Sequence, residues 1–156
     1  MKKALKYIVL IPALCMLMVT GCVRISAIVN PVSPEDFEKA CEAKGLTITD
    51  YSSEETNLVA KDEDGNILIQ LYVYTSAETA ETAYTSVAES MDEKASENDM
   101  STEENGEDYH TARSIRSDEE FHVLARIDNS VIYGYSYTEE NNEILMNLIK
   151  ELGYWK

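Results

Sequence analysis

The sequence predicts an α+β domain: an antiparallel sheet with helices mainly on one face, consistent with a duplicated βββα unit after an N-terminal helix. Three observations carry this reading. Short alternating stretches rich in β-branched and aromatic residues are separated by turn residues, as in antiparallel hairpins. Three other stretches repeat their apolar residues every three or four positions, as helices do. The signals of the second half follow those of the first at a nearly constant shift.

Ser33-Pro34-Glu35-Asp36 is a helix start, with Ser as cap, Pro in the first helical position and acids in the first turn. Phe37, Ala40, Cys41 and Ala43 form its apolar side, and Lys44-Gly45 stops it, which predicts a helix over 34–44. Residues 46–51 alternate as a strand, and residues 57–61 form a second, shorter one. The turn Asp62-Glu63-Asp64-Gly65-Asn66 then leads into a strand from Ile67 to Tyr74. Thr75 and Glu78 stand at capping-box spacing. Ala77, Ala80, Ala83, Tyr84, Val87, Ala88 and Met91 continue as the stripe of a helix reaching Lys94. Residues 95–108 carry six acids and no base, and read as a mobile surface loop. Strands are predicted at 109–115, 121–127 and 130–137, the last two joined through Asp128-Asn129. Thr138 caps a final helix whose apolar face is Ile144, Leu145, Leu148, Ile149 and Leu152, ending at Lys150 and Gly153.

The repeat is visible residue by residue. Asn66, Tyr72, Tyr74 and Thr75 align with Asn129, Tyr135, Tyr137 and Thr138, and the helix stripes align at a shift two residues smaller. Side chains alternate along a strand. Tyr72 and Tyr74 therefore share one face of their strand, and Tyr133, Tyr135 and Tyr137 share the corresponding face of theirs. Ile67, Ile69, Leu71 and Val73 occupy the opposite face, suited to burial under helices, so the tyrosines form a candidate binding face.

Composition narrows the classes. The 156 residues carry a net charge of −16, with 44% hydrophobic and 27% charged residues, a globular balance. Six Gly and three Pro exclude collagen-like and Pro-rich chains, and three Cys are too few for a disulfide scaffold. Such an acidic chain lacks the clustered bases that neutralise nucleic-acid phosphates.

The first residues read as an address. Lys2, Lys3 and Lys6 precede an apolar run from Tyr7 to Val19, the pattern of a secretory signal. Thirteen residues fall short of the roughly 20 that a membrane-spanning helix needs. The run closes on Val19-Thr20-Gly21-Cys22, which resembles the lipobox of bacterial lipoproteins, with Val where Leu is commoner. The signal and composition together resemble small lipoproteins of Gram-positive bacteria. The resemblance implies cleavage between Gly21 and Cys22, a diacylglycerol thioether on Cys22, and a protein held at the cell membrane facing outside the cytoplasm. It implies a signal peptide over 1–21 and a lipidated Cys22 that opens a tether over 22–32; the length and patterning of residues 33–156 predict a single α+β domain after them. Removing the signal takes three of thirteen bases and no acid, leaving −19 over 135 residues.

Chemistry-bearing motifs are sparse. No nucleophile elbow, zincin helix, phosphate loop or C-x-x-C pair occurs. His110 and His122 lie on neighbouring predicted strands, but two imidazoles do not complete a zinc site. With Gly65 at the sixth position of an EF-hand loop, the first and twelfth fall on Ala60 and Leu71, so that turn is a hairpin. Cys41 stands at helical spacing with Phe37 and reads as a buried thiol. The expected function is thus a membrane-anchored binding or accessory protein, with no cofactor, no metal and a protein, peptide or glycan ligand. An extracytoplasmic hydrolase using acidic residues and an oligomeric interaction module are the alternatives.

Overall fold

The structure, a computed structural model, describes residues 30–107 and 110–155. The signal segment, Gly21 and Cys22 lie outside the described residues, as do Asp108 and Tyr109. The element order is α1 (Pro34–Ala43), β1 (Thr47–Asp50), β2 (Thr56–Lys61), β3 (Ile67–Val73), α2 (Ala77–Glu97), β4 (Ser101–Glu107), β5 (His110–Arg116), β6 (Glu120–Ile127), β7 (Ser130–Tyr137) and α3 (Glu139–Glu151). Seven strands form one antiparallel sheet in the order β1-β2-β3-β7-β6-β5-β4. The predicted α+β class and antiparallel sheet are those of the structure.

Local chemistry sets the helix ends. Ser33, Ser76 and Thr138 each turn a hydroxyl back onto the backbone N–H three residues on. Ser76, not Thr75, is thus the cap of α2. All three helices close in the same way. The residue after the C-cap is Gly45, Asp99 or Gly153, with φ of 78°, 53° and 83°. The next N–H, from Leu46, Met100 or Tyr154, reaches back to the carbonyl of Cys41, Ala95 or Ile149 at 3.1, 2.9 and 3.0 Å. This is a Schellman closure with its apolar residue turned inward, and Leu46, Met100 and Tyr154 are all buried.

One face of the sheet carries α1 and α3. Phe37 and Cys41 from α1, and Leu145, Leu148 and Ile149 from α3, meet Leu58, Ala60, Ile67, Ile69, Leu71, Val123, Ala125 and Ile132 in the larger core. Two buried polar links tie this layer together. Ser136 donates to Asn142 Oδ1 at 2.8 Å, and the Tyr154 and Ser130 hydroxyls bond to each other. At Gly134 the sheet comes closest to α3: a Cβ there would stand 3.0 Å from Leu145 Cδ1.

The second helix takes the other face. α2 lies over β5, β6 and β7, burying Ala80, Ala88, Met91 and Ala95 against Ile115, Leu124 and Val131. Its stripe is mostly alanine, which lets the helix settle closely on Ile115, Leu124 and Val131, with Tyr74 and Tyr133 partly buried against the same cluster. The predicted repeat therefore holds for the strands and not for the helices. β3 and β7 are antiparallel neighbours with equivalent residues on equivalent faces, and a two-fold relating them would put α2 and α3 on the same face.

The predicted loop at 95–108 is corrected. α2 continues to Glu97, and Ser101–Glu107 is an edge strand paired with β5. Exposed acids on an outermost strand lack the apolar alternation by which strands are recognised, and they guard the edge against further pairing.

Candidate functional site: the open tyrosine face

The register settles where the tyrosines stand. Tyr135 pairs with Leu68 on one side and His122 on the other, and Tyr133 pairs with Gln70 and Leu124. With Tyr72 two residues beyond Gln70, and Tyr74 and Tyr137 further along the same alternation, all five predicted tyrosines lie on one face of the sheet. Tyr72 and Tyr74 stack with ring centroids 5.9 Å apart and planes 19° from parallel. Tyr135 meets Tyr137 edge-on at 5.6 Å and lies tilted against Tyr133 at 6.4 Å. Such offset and edge-on contacts stabilise rings beyond their area burial.

This face is half-wet. α2 covers its β5–β7 side, whereas β1, β2 and β3 contribute nothing to the core beneath α2. Val59, Leu68, Gln70, Tyr72 and Tyr74 are half-buried, while the alternating residues Leu58, Ala60, Ile67, Ile69 and Leu71 are buried on the opposite side. Tyr133 and Tyr135 are half-buried and Tyr137 is 39% exposed. Among the described residues, a tyrosine-rich shelf thus lies open beside α2.

A polar chain runs along the edge of the shelf where α2 ends. Lys94 Nζ lies 2.6 Å from Glu120 Oε2. His122 Nε2 lies 3.2 Å from the same oxygen, and its Nδ1 lies 2.9 Å from the Tyr133 hydroxyl. A carboxylate can only accept, so Nε2 carries the proton and Nδ1 accepts from the tyrosine. Burial, with Lys94 nearby, pushes the His122 pKa down against the pull of Glu120. Bonds from Lys94 and His122 hold the Glu120 carboxyl below its usual range. Tyr133 is pushed up to about 12 by burial, then by Tyr135, Tyr137 and Glu120. The chain therefore fixes the Tyr133 ring and disfavours its phenolate. It orients an aromatic surface and does not prepare a nucleophile.

On the β3 side, Gln70 Nε2 donates to Asn57 Oδ1 at 2.7 Å and to the Tyr72 hydroxyl. Sequence reasoning passed over Gln70, Asn57, Glu120 and the placement of His122. Period-two alternation puts Gln70 with Tyr72, but finding His122 beside Tyr135 needs the β6–β7 register. The same register separates the two histidines: His110 pairs with Ile127 on the α3 face and His122 with Ile115 on the α2 face, so they do not share a site. Cys41 is buried, with its thiol pushed up to about 12 by burial and by Glu42. Comparisons with protein-family models, curated proteins and solved structures return no match.

Proposed function

We propose that this chain is a lipid-anchored, extracytoplasmic binding protein that presents the tyrosine shelf to a ligand and performs no chemistry on it. The single observation behind the binding role is the contrast between the two faces of β3 and β7, one buried under α1 and α3 and the other carrying half-exposed tyrosines. Stacked rings and the anchored Tyr133 make this a rigid surface, so a ligand loses little side-chain freedom in docking. The anchor rests on Val19-Thr20-Gly21-Cys22. Two acyl chains hold a protein stably at a membrane.

Metabolic labelling with an alkyne fatty acid, combined with a membrane-impermeant tyrosine reagent on intact cells, tests both parts. The reading expects label on the wild type, none on Cys22→Ala, and modification of the shelf tyrosines from outside. Label surviving the substitution, or shelf tyrosines reached only after lysis, overturns it.

A further inference from the structure

Resting on the reading of the shelf as a binding face, we infer that its occupant is an amphipathic helix of a partner protein, apolar along one side and basic at both ends.

The sheet is wider than the helix on its α2 face. Seven strands about 4.8 Å apart span roughly 29 Å, and a helix with its side chains covers about 10 Å. The α1–α3 face carries two helices, with Tyr154 and Trp155 also in its core. The α2 face carries one, set over β5–β7. The uncovered strands β1, β2 and β3, with the near edge of β7, leave about 14 Å, a width suited to one more helix beside α2.

The wall of this slot carries small and apolar groups along most of its length and ends at Lys94, which pairs with Glu120 at 2.6 Å. The 2.6 Å ion pair between Asp92 and Arg113 turns one flank of α2 toward β5. Helical periodicity then puts Ala83, Val87 and Ser90 on the other flank, toward β7. Ala83 and Val87 are half-buried, and Val87 joins Tyr74 and Tyr133 around the α2 core. Small and apolar groups on the wall, with aromatic rings on the floor, suit the ridge of a packed helix.

The ends of the slot are acidic. Beyond Tyr74, the Glu55 carboxylate accepts from the Thr75 N–H at 3.1 Å. At the opposite end the Tyr137 N–H donates to Asn66 O at 3.0 Å, which joins the turn holding the exposed Glu63 and Asp64 to the chain leading into Glu139 and Glu140. These four acids outnumber the two bases at this end among the described residues: Lys61, which pairs with Leu68 on the shelf face, and Lys94, which is held by Glu120. Eight strand residues between these ends span about 26 Å, the length of roughly 17 helical residues. Charge complementarity therefore asks for bases at both termini of the incoming helix. A second copy of this chain, itself at −16, is repelled instead.

The test uses the full chain in a non-ionic detergent with four probes. They are a 17-residue amphipathic peptide with lysines at both ends, the same peptide with glutamates at the ends, a scrambled-stripe version of the lysine peptide, and a chitin hexamer. Binding is read by isothermal titration and by protection of individual tyrosines from nitration. The inference expects the lysine-ended peptide to protect Tyr72, Tyr135 and Tyr137, and to bind at least about tenfold more tightly than the glutamate-ended and scrambled versions. It also expects Tyr72→Ser/Tyr135→Ser to lose that binding while circular dichroism stays unchanged. Equal protection by the scrambled or glutamate-ended peptide overturns it. So does protection by the hexamer alone, which leaves the shelf a binding face with a glycan ligand. Shelf tyrosines that resist nitration without any probe overturn the binding face itself.

Discussion

His122 Nδ1 accepts a hydrogen bond from the Tyr133 hydroxyl at 2.9 Å, diagonally across the β6–β7 ladder, while its other ring nitrogen faces Glu120. One buried imidazole thereby joins the end of α2, through Glu120 and Lys94, to the floor of the tyrosine shelf.

This arrangement makes stability depend on pH in a defined direction. Burial holds the folded pKa of His122 below its ordinary value of 6.5. As pH falls through that value the unfolded chain takes up the proton first, so the folded state loses ground until its own lower pKa is passed. Glu120 adds a loss only in stronger acid, below its ordinary 4.5, because its folded value is also depressed. Urea midpoints measured from pH 7.5 to 5.5 should fall in the wild type and fall less in His122→Gln. Identical slopes would show that His122 titrates as it does in the unfolded chain.

Tyr133→Phe removes the donor to a buried ring nitrogen. The expected cost is about 1–2 kcal/mol in urea unfolding, since the acceptor is left unsatisfied. Tyr135→Phe, whose hydroxyl makes no hydrogen bond among the described residues, should change stability by less than about 0.5 kcal/mol. Equal costs for the two variants would contradict the polar chain.

Gly134→Ala drives a methyl into the contact between β7 and α3. The new carbon meets Leu145 Cδ1 at 3.0 Å and the Leu68 carbonyl oxygen at 3.2 Å, in front of a fully buried leucine. Overpacking of this kind costs about 1–3 kcal/mol, and a neutral result would place α3 farther from the sheet.

Asp99 closes α2 at φ 53°, a conformation that favours glycine. Asp99→Gly should therefore raise stability by about 0.5–1 kcal/mol. A loss of similar size would mean that the Asp99 side chain stabilises the closure.

Cys41 is fully buried with its thiol pushed up to about 12. Native protein should resist a disulfide reagent at pH 8 and react promptly in urea. Rapid native reaction would place α1 off the sheet.

Much of this fold is legible residue by residue. Ser33-Pro34 and Lys44-Gly45 bracket α1, Asp62–Asn66 turns β2 into β3, and Gly153 ends α3, because each of these signals is local. The closure of α2 at Asn98-Asp99 uses an aspartate where α1 and α3 use glycine, so the helix extends past its predicted end. β4 escapes notice because its pairing partner, not its own alternation, makes it a strand. The shared tyrosine face follows from period two alone. That α2 sits on this face follows from long-range packing of alanines on Leu124 and Val131, which no local pattern states. The joining of His122 to Tyr133 likewise depends on the register of β6 against β7.

Per-residue nitration of the full chain tests most directly whether the shelf is open. Tyr51, 62% exposed, and Tyr154, fully buried, serve as internal standards. The structure predicts that Tyr72, Tyr135 and Tyr137 react at rates nearer to Tyr51, and that Tyr154 reacts only after unfolding. Shelf tyrosines as inert as Tyr154 in a monomer, while Tyr51 reacts, would contradict the claim.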